Sequence, residues 1–447
     1  MQRALIAVGT ALLLTLGLLN PAAAGLKVGV ATADITPPIG GKMGGYTARG
    51  DHVSQGVHDP LTARVLVLDD QKHSLALVTL DLVGLPTEAI SAIRQKVKAR
   101  THVDLVMVMC SHTHSGPDGD PNFPSQEKSW LAGAIQRIAE TAATAYQART
   151  PAAYGVAKGE AREGHNRRMV NPDGTATMFW RNEKREPTSP VDYQVGVIHF
   201  RTADGKPLAT LVNFTCHPVV LGPENLLISA DYPGVLRSVV EKQIGGTCLF
   251  AQGACGDINP FMDKSDPAKG AYQEMEKMGR TVGREVVRVL KTIKMHEPGE
   301  GNLTLHDEVI PLQLRWNIKD PEVMAALEKH YGKVLVRMYL KRFKPPLQGD
   351  LTTVTLGKDL AIVGVPGEFF VAHGLSLKAR SAIPNTFLFG YCNGFLAYFP
   401  TINAAWQGGY GASEATIVEV GAGEKFINHA LVNLYYQTGR LHRVPQF

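Results

Sequence analysis

Seven short apolar runs punctuate the chain: ARVLVLDD (63 to 70), SLALVTLDLVG (74 to 84), DLVMVMCS (104 to 111), TLVNFTC (210 to 216), TCLFAQG (247 to 253), DLAIVGVPG (359 to 367) and TFLFGYC (386 to 392). They are rich in branched residues and too short for buried helices, so they read as strands covered on both faces. A different period appears between them. Met275, Met278, Val282, Val286, Val289 and Ile293 recur every three or four residues and mark one buried helical stripe. Further helices are expected over 87 to 99, with Thr87 as cap and Ile90, Ile93 and Val97 on one face, and over 127 to 147. DPEVMAALEKHYGKVLVRMYL (320 to 340) opens with Asp320 as N-cap and Pro321 in the first helical position. MHEPGEGN (295 to 302) is the clearest seam. Neighbouring strands without long helices between them, in the first quarter and the last third, predict mixed sheets. The fold class is therefore α/β, with mixed β-sheets flanked by helices and a site at the ends of strands.

Composition changes this picture little. With 447 residues, 44% of them hydrophobic and 19% charged, the chain is that of a folded globular protein. A formal net charge of +5 gives no case for nucleic acid as a partner. The cluster Lys341, Arg342 and Lys344 suits contact with an anionic membrane surface, or simply a solvated helix end. The first segment pairs basic Arg3 with an apolar stretch from Ala4 to Leu19 and small residues Ala22 to Ala24 ahead of Gly25. That is the pattern of an export signal cut after Ala24. The stretch is shorter than the roughly 20 residues an uncleaved membrane anchor requires. The expected organisation is a signal peptide over 1 to 24 and a catalytic domain over 25 to 447, secreted or periplasmic. Five cysteines (Cys110, Cys216, Cys248, Cys255 and Cys392) are too few for a disulfide scaffold, and their odd number leaves at least one thiol unpaired within the chain.

Chemistry concentrates where the apolar runs stop, which is where open α/β sheets bind ligands. DLVMVMC exits through SHTHSGP, and residues i and i+2 of an extended segment point the same way, so His112 and His114 can face one cavity. TLVNFTC exits on His217, CLFAQGACGDINP runs through glycines into Asp257, LAIVGVPG is followed by Glu368, and FLFGYCNGFLAYFPT leads to Tyr398. Imidazoles and a carboxylate at convergent strand ends form a nitrogen and oxygen set suited to zinc. Taken singly, each has a plainer reading: His217 packing beside Pro218, Glu368 capping a helix from Phe369, Tyr398 as half-buried core.

The chain resembles the neutral/alkaline non-lysosomal ceramidase family of zinc amidases. The resemblance is carried by GVATADITPPIG (29 to 40), HTHSGP (112 to 117), HNRRM (165 to 169), FTCHP with ISADYPG (214 to 234), GACGDINP (253 to 260), VPGEFF (365 to 370), and NGFLAYFPT with GGYGASEAT (393 to 416). It implies zinc held by His112, His217, Glu368 and Tyr398, and His114 standing beside the scissile amide to pass a proton to the leaving amine. It also implies that Arg167 and Tyr410 stabilise the amide oxygen. Asp81 and Asp231 are candidates to orient imidazoles from behind, or equally turn or capping aspartates. The chain departs from the family at Asn259, which stands where ceramidases of established activity have the serine of GDVSP. The expected organisation, a catalytic domain alone, also differs from those ceramidases, which carry an immunoglobulin-like C-terminal domain.

These departures point to a zinc-activated water as the nucleophile, with Asn259 contacting the substrate. The function implied is an exported zinc-dependent hydrolase acting on the amide of a small-molecule or lipid N-acyl substrate. Zinc hydrolysis of a lactone, ester or peptide is the alternative within the same chemistry, and a catalytically silent binding protein is the alternative outside it.

Overall fold

The computed structural model describes residues 25 to 117, 128 to 297, 301 to 343, 345 to 442 and 444. The expected signal segment lies outside them. The larger sheet comprises β1 (Lys27–Asp34), β2 (Thr62–Asp69), β3 (Ser74–Leu80), β4 (Leu105–Cys110), β5 (Thr150–Glu160), β6 (Gln194–Thr202), β7 (Pro207–Phe214) and β8 (Thr247–Gln252), in the order 8-7-6-5-1-2-3-4. Its central pairings are antiparallel, whereas β3 pairs with β4, and β7 with β8, in parallel. A parallel neighbour needs a crossover, and α1 (Thr87–Thr101) and α3 (Tyr232–Ile244) supply the two. The smaller sheet, β9 (Leu303–Leu312), β10 (Leu347–Leu356), β11 (Leu360–Gly364) and β12 (Asn385–Phe389), runs 9-10-11-12, with only the last pair parallel. The sheets are mixed, as the strand spacing predicts.

Alternation within the strands explains the layering. In β2, Val65 and Val67 join the core beneath the helices, while Leu66 and Leu68 face the smaller sheet. In β4, Val106 and Val108 take the first side, and Met107 and Met109 the second. The helical side is filled by α1, α2 (Lys128–Gln147), α3 and α4 (Ala271–Leu290). The outer face of the smaller sheet, through Ala361 and Val363, packs on α7 (Val371–Arg380) and α9 (Ala422–Gln437). The order of layers is helices, large sheet, small sheet, helices. Strands covered on both faces, such as β4 and β11, are continuously apolar, whereas β1 and the edge strand β9 carry exposed polar positions.

Several boundaries differ from the sequence reading. Pro86 occupies the N-cap position of the first helix and Thr87 is already helical. The stripe of α4 ends at Leu290, and Ile293 packs on the same core from beyond the helix. The pattern from 320 to 340 breaks at Gly332 into α5 (Pro321–Tyr331) and α6 (Lys333–Arg342), with the Asp320 carboxylate accepting from Glu322 N–H at 2.9 Å as a cap. All five cysteines are buried free thiols.

The two edges of the large sheet are drawn together, and this brings the strand exits to one place. At the end of β8, Gln252 Nε2 donates to Ser111 O (3.2 Å), just past β4, and to Cys216 O (2.8 Å), just past β7. Residues 390 to 393, which follow β12, lie between the edges. Gly390 N–H donates to Gln252 O (2.9 Å), Cys110 N–H to Tyr391 O (3.2 Å) and Asn393 N–H to Val108 O (2.8 Å). The Arg237 guanidinium of α3 grips Asp81, at the end of β3, through two bonds of 2.6 and 2.7 Å, both groups being buried. Asp81→Ala leaves that guanidinium uncompensated, so thermal or urea unfolding should show a loss of about 3–5 kcal/mol. A loss under about 1 kcal/mol would show that the pair is dispensable.

Candidate active site

Each chemical residue is fixed by a strand exit. Past β4, Ser111 N–H donates to Leu80 O and His112 N–H to Leu82 O, and His112 takes φ +69°. The pair HxH is therefore not the extended segment the sequence suggests. A left-handed turn at His112, sparsely populated for a residue with a β-carbon, sets the directions of the two rings. Past β7, His217 N–H donates to Ile258 O at 3.0 Å. Glu368 and Tyr398 are direct partners in a two-residue parallel pair, Glu368–Phe369 with Tyr398–Phe399, so their side chains lie side by side. Gly256 N–H donates to Phe369 O (2.9 Å), and a β-carbon at Gly256 would lie 2.5 Å from Glu368 O, so only glycine lets this loop approach.

The rings meet at their Nε2 atoms. His114 Nε2 is 3.1 Å from His112 Nε2, His217 Nε2 is 3.0 Å from Glu368 Oε2, and His112 Nε2 is 3.5 Å from the same oxygen. Among the described residues, His112, His114 and His217 form a group whose ligand atoms all lie within 4.8 Å. The far nitrogens settle the tautomers. His112 Nδ1 faces Val83 O (2.5 Å) and His217 Nδ1 faces Ile258 O (3.1 Å), so each Nδ1 carries a proton, and in the neutral ring each Nε2 presents a lone pair. His114 Nδ1 is buried without a hydrogen-bond partner.

Burial favours the neutral imidazoles: it pushes His217 down to about 4, despite the opposing bond from Glu368, and lowers His114 well below the usual histidine range. For Glu368 burial acts in the raising direction, but positive charge on His112 and His217 outweighs it and holds the carboxyl well below its ordinary range, a charge that a cation bound between them would supply equally. Neutral rings and an ionised carboxylate are the forms that ligate a metal.

A second group adjoins the first. Arg167, buried on all sides, donates to Asn259 Oδ1 (3.1 Å), Gly256 O (2.7 Å) and the Tyr398 hydroxyl (3.1 Å). Trp180, Tyr398 and Tyr410 surround its guanidinium at 5.0, 5.6 and 5.3 Å from the ring centroids. Its Nε has no partner, so this buried cation still has a donor to offer.

The structure thus brings together His112, His114, His217, Glu368, Tyr398, Arg167 and Tyr410. Three placements correct the sequence reading. Asp81 orients no imidazole, being held by Arg237 and by the N–H and hydroxyl of Thr62. Asp231 caps α3 through Tyr232 N–H and accepts from Leu221 N–H. Backbone carbonyls do the orienting instead. Asn259 is fully buried with both ends engaged, its amide N–H donating to Asp263 at 2.8 Å and its oxygen accepting from Arg167, so it holds Arg167 rather than facing an open cavity. Asp257 likewise accepts from Val371 N–H (2.7 Å) and Asn166 (2.9 Å) and is structural.

The sequence reading passed over Tyr391. Its ring stacks on His112 with centroids 4.1 Å apart, and its hydroxyl donates to Glu368 Oε2 at 3.3 Å. The only signal was its place at the exit of the strand TFLFGYC. Gly45 and Tyr46, also unremarked, press on His114: a β-carbon at Gly45 would lie 2.3 Å from its ring, and Tyr46 meets it edge-on at 4.7 Å.

A mixed α/β scaffold with a buried imidazole and carboxylate centre at its strand ends defines the class. Residues 26–266 match the family model of the neutral/alkaline non-lysosomal ceramidase N-terminal region, and the chain belongs to that family. Among curated relatives, it is 26% identical over 269 residues to the neutral ceramidase of Drosophila pseudoobscura pseudoobscura, over 56% of this chain and 38% of that protein. To the neutral ceramidase of Pseudomonas aeruginosa it is 25% identical over 285 residues, over 58% of this chain and 40% of that one. The matches thus take in well under half the length of these relatives. A crystal structure of the Pseudomonas aeruginosa neutral ceramidase shares the fold with a TM-score of 0.75 and 19% identity, covering 95% of this chain and 76% of that one. A ceramidase solved in complex with C2 gives 0.74 and 19%, over 95% and 77%.

Tyr391→Phe keeps the ring on His112 but removes the donor to Glu368. Metal affinity, read by competition with a chromogenic chelator, should fall about tenfold or more, as for other supports behind a ligand. An unchanged affinity would show that the hydroxyl serves only Cys255, whose Sγ lies 3.1 Å away.

Proposed function

We propose that the chain is a zinc-dependent hydrolase that cleaves the amide bond of an N-acyl lipid of the ceramide class. The observation that carries this reading is the convergence of the His112 and His217 lone pairs on one carboxylate oxygen of Glu368, within 3.5 Å. Acceptors that close, in a buried place, repel one another unless a proton or a cation sits among them. Imidazole and carboxylate donors suit zinc. His112, His217 and Glu368 would hold the metal, with Tyr398 alongside. When bound, zinc supplies a Lewis acid and lowers the pKa of a water to about 7.

The chain's own groups account for the rest. Arg167, with its free Nε and its neighbour Tyr410, is placed to receive the negative charge that develops on an amide oxygen. His114 lacks the carbonyl partner that anchors the other two rings, which suits a ring that moves a proton to the leaving amine rather than a fixed ligand. Asn259, in the position of the family serine, has no hydroxyl to acylate and, itself held by Asp263, positions Arg167 through its side-chain oxygen. Relatives named neutral ceramidase support the substrate class. We read residues 1 to 24 as an export signal and 25 to 447 as the catalytic domain, acting outside the cytoplasm; Gly25 as the first residue of the mature protein would bear this out.

Release of fatty acid from N-acyl sphingoid lipids, set against esters, lactones and peptides, tests the reading. Turnover should be confined to amides and should be lost on zinc removal and regained on its return. Cleavage of esters or lactones alone would replace the amide assignment, and no turnover with zinc bound would make the protein a binder. The two histidines should separate: His112→Ala loses the metal, whereas His114→Ala keeps it and loses rate. Equal loss of metal in both would make His114 a ligand. Asn259→Ala should keep zinc and KM while kcat falls about tenfold or more, through a slackened Arg167. Acylated protein trapped from the wild type would refute the absence of a covalent intermediate.

A further inference from the structure

Single exposed apolar side chains are ordinary, but here they gather. Trp406 (66% exposed) and Ile402 (51%) lie on α8 (Ile402–Gln407), Met169 and Val170 (54%) on the strand that follows Arg167, Val420 just ahead of α9, and Trp316 after β9. These positions adjoin. A β-carbon at Gly174, in the turn of the hairpin that carries Met169, would lie 2.6 Å from the Trp406 ring, and one at Gly421 would lie 3.7 Å from Ile402. Arg315, whose guanidinium covers Trp316 at 5.3 Å, donates to Ala405 O of α8 at 3.3 Å.

The patch is carried by the same hairpin and loop that carry site residues. Met169 stands two residues beyond Arg167, and Trp406 stands four before Tyr410. Arg168 Nη2, between them, donates to Gly408 O at 2.8 Å and so ties the hairpin to the Tyr410 loop. A cationic stripe lies nearby. Lys333, Arg337 and Lys341 are exposed at steps of four on α6, so they share one face. The preceding helix reaches the Tyr410 loop through His330 and Glu414, 3.8 Å apart.

We propose that this apolar rim and the basic stripe seat the protein on an anionic lipid surface, so that an N-acyl lipid enters the site from the bilayer. Tryptophan and aliphatic side chains beside lysine and arginine match the layered chemistry of a bilayer interface, apolar below and anionic at the headgroups. An acyl chain leaving a bilayer seated on this patch would enter the protein beside the loop that carries Tyr410. The occupant is thus a lipid surface rather than a second copy or a protein. This inference rests on the substrate class proposed above.

Cosedimentation of the full-length zinc-loaded protein with phosphatidylcholine vesicles, with and without phosphatidylglycerol, tests it. Wild type should bind, and more tightly when phosphatidylglycerol is present. A doubly substituted Trp406→Ser, Ile402→Ser protein should bind about tenfold or more weakly, with unchanged zinc content and melting temperature. Lys333→Glu with Arg337→Glu should remove the preference for the anionic vesicles. Hydrolysis of a short-chain, water-soluble N-acyl amide should be untouched in all variants. Failure of wild type to bind either vesicle, or equal binding by the Trp406/Ile402 variant, overturns the proposal, as does a dimer of wild type that this variant dissolves. Vesicle binding that responds as described, without hydrolysis of any N-acyl amide, would sink the functional reading and leave the docking surface standing.

Discussion

Lone pairs that face each other out of reach of water are the constraint on which the rest of the molecule depends. Val83 O and Ile258 O take the Nδ1 protons of His112 and His217, so the Nε2 lone pairs are committed to the interior, where Glu368 already presents a carboxylate oxygen. Left bare, such an arrangement repels itself, and burying uncompensated polar groups costs about 1–3 kcal/mol each. A proton or a cation among these atoms would remove the repulsion. Burial keeps the His217 ring neutral and leaves a nearby guanidinium with an unused donor, whereas Glu368 stays ionised against its burial because positive charge beside it outweighs the desolvation.

The scaffold's task is to hold those acceptors together. It does so by bringing the edges of the large sheet close and lacing residues 390 to 393 of the smaller sheet's connection between them. Some backbone strain lies at this seam: His112, Tyr391 and Asn393 have positive φ, a conformation that costs of order 1–3 kcal/mol apiece. Each is over-determined by its surroundings. Asn393, for example, accepts from Val108 N–H through its side chain while its own N–H donates to Val108 O. The layered cores on either side supply the stability that tolerates this, because strands apolar on both faces bury almost every residue they have.

The fold class was legible because the apolar runs have strand length and no polar alternation, which is what burial on both faces writes into a sequence. Helix ends were less so: Thr87 looks like a cap, but the turn begins at Pro86, and Gly332 divides a pattern whose periodicity runs through it. At the site, residue types at strand exits drew out His112, His114, His217, Asp257, Glu368 and Tyr398 together, and the family resemblance implied which of them would be ligands. What they could not reveal was partnership. Asp81 and Asp231 have the right chemistry to orient imidazoles, yet Arg237 and a helix terminus claim them, and carbonyls of Val83 and Ile258, invisible in any side-chain pattern, do that work. Tyr391 was hidden for the opposite reason, since an aromatic at the end of a buried run looks like core.

The central claim is that a metal lies among these particular atoms. Anomalous diffraction from crystals of the purified protein, recorded on either side of the zinc absorption edge, tests it most directly. The account predicts one zinc peak per chain, bonded to His112 Nε2, His217 Nε2 and a Glu368 oxygen at the 2.0–2.2 Å typical of such bonds. A fully formed site with no anomalous peak in zinc-supplemented crystals, or a peak held by other residues, would contradict it.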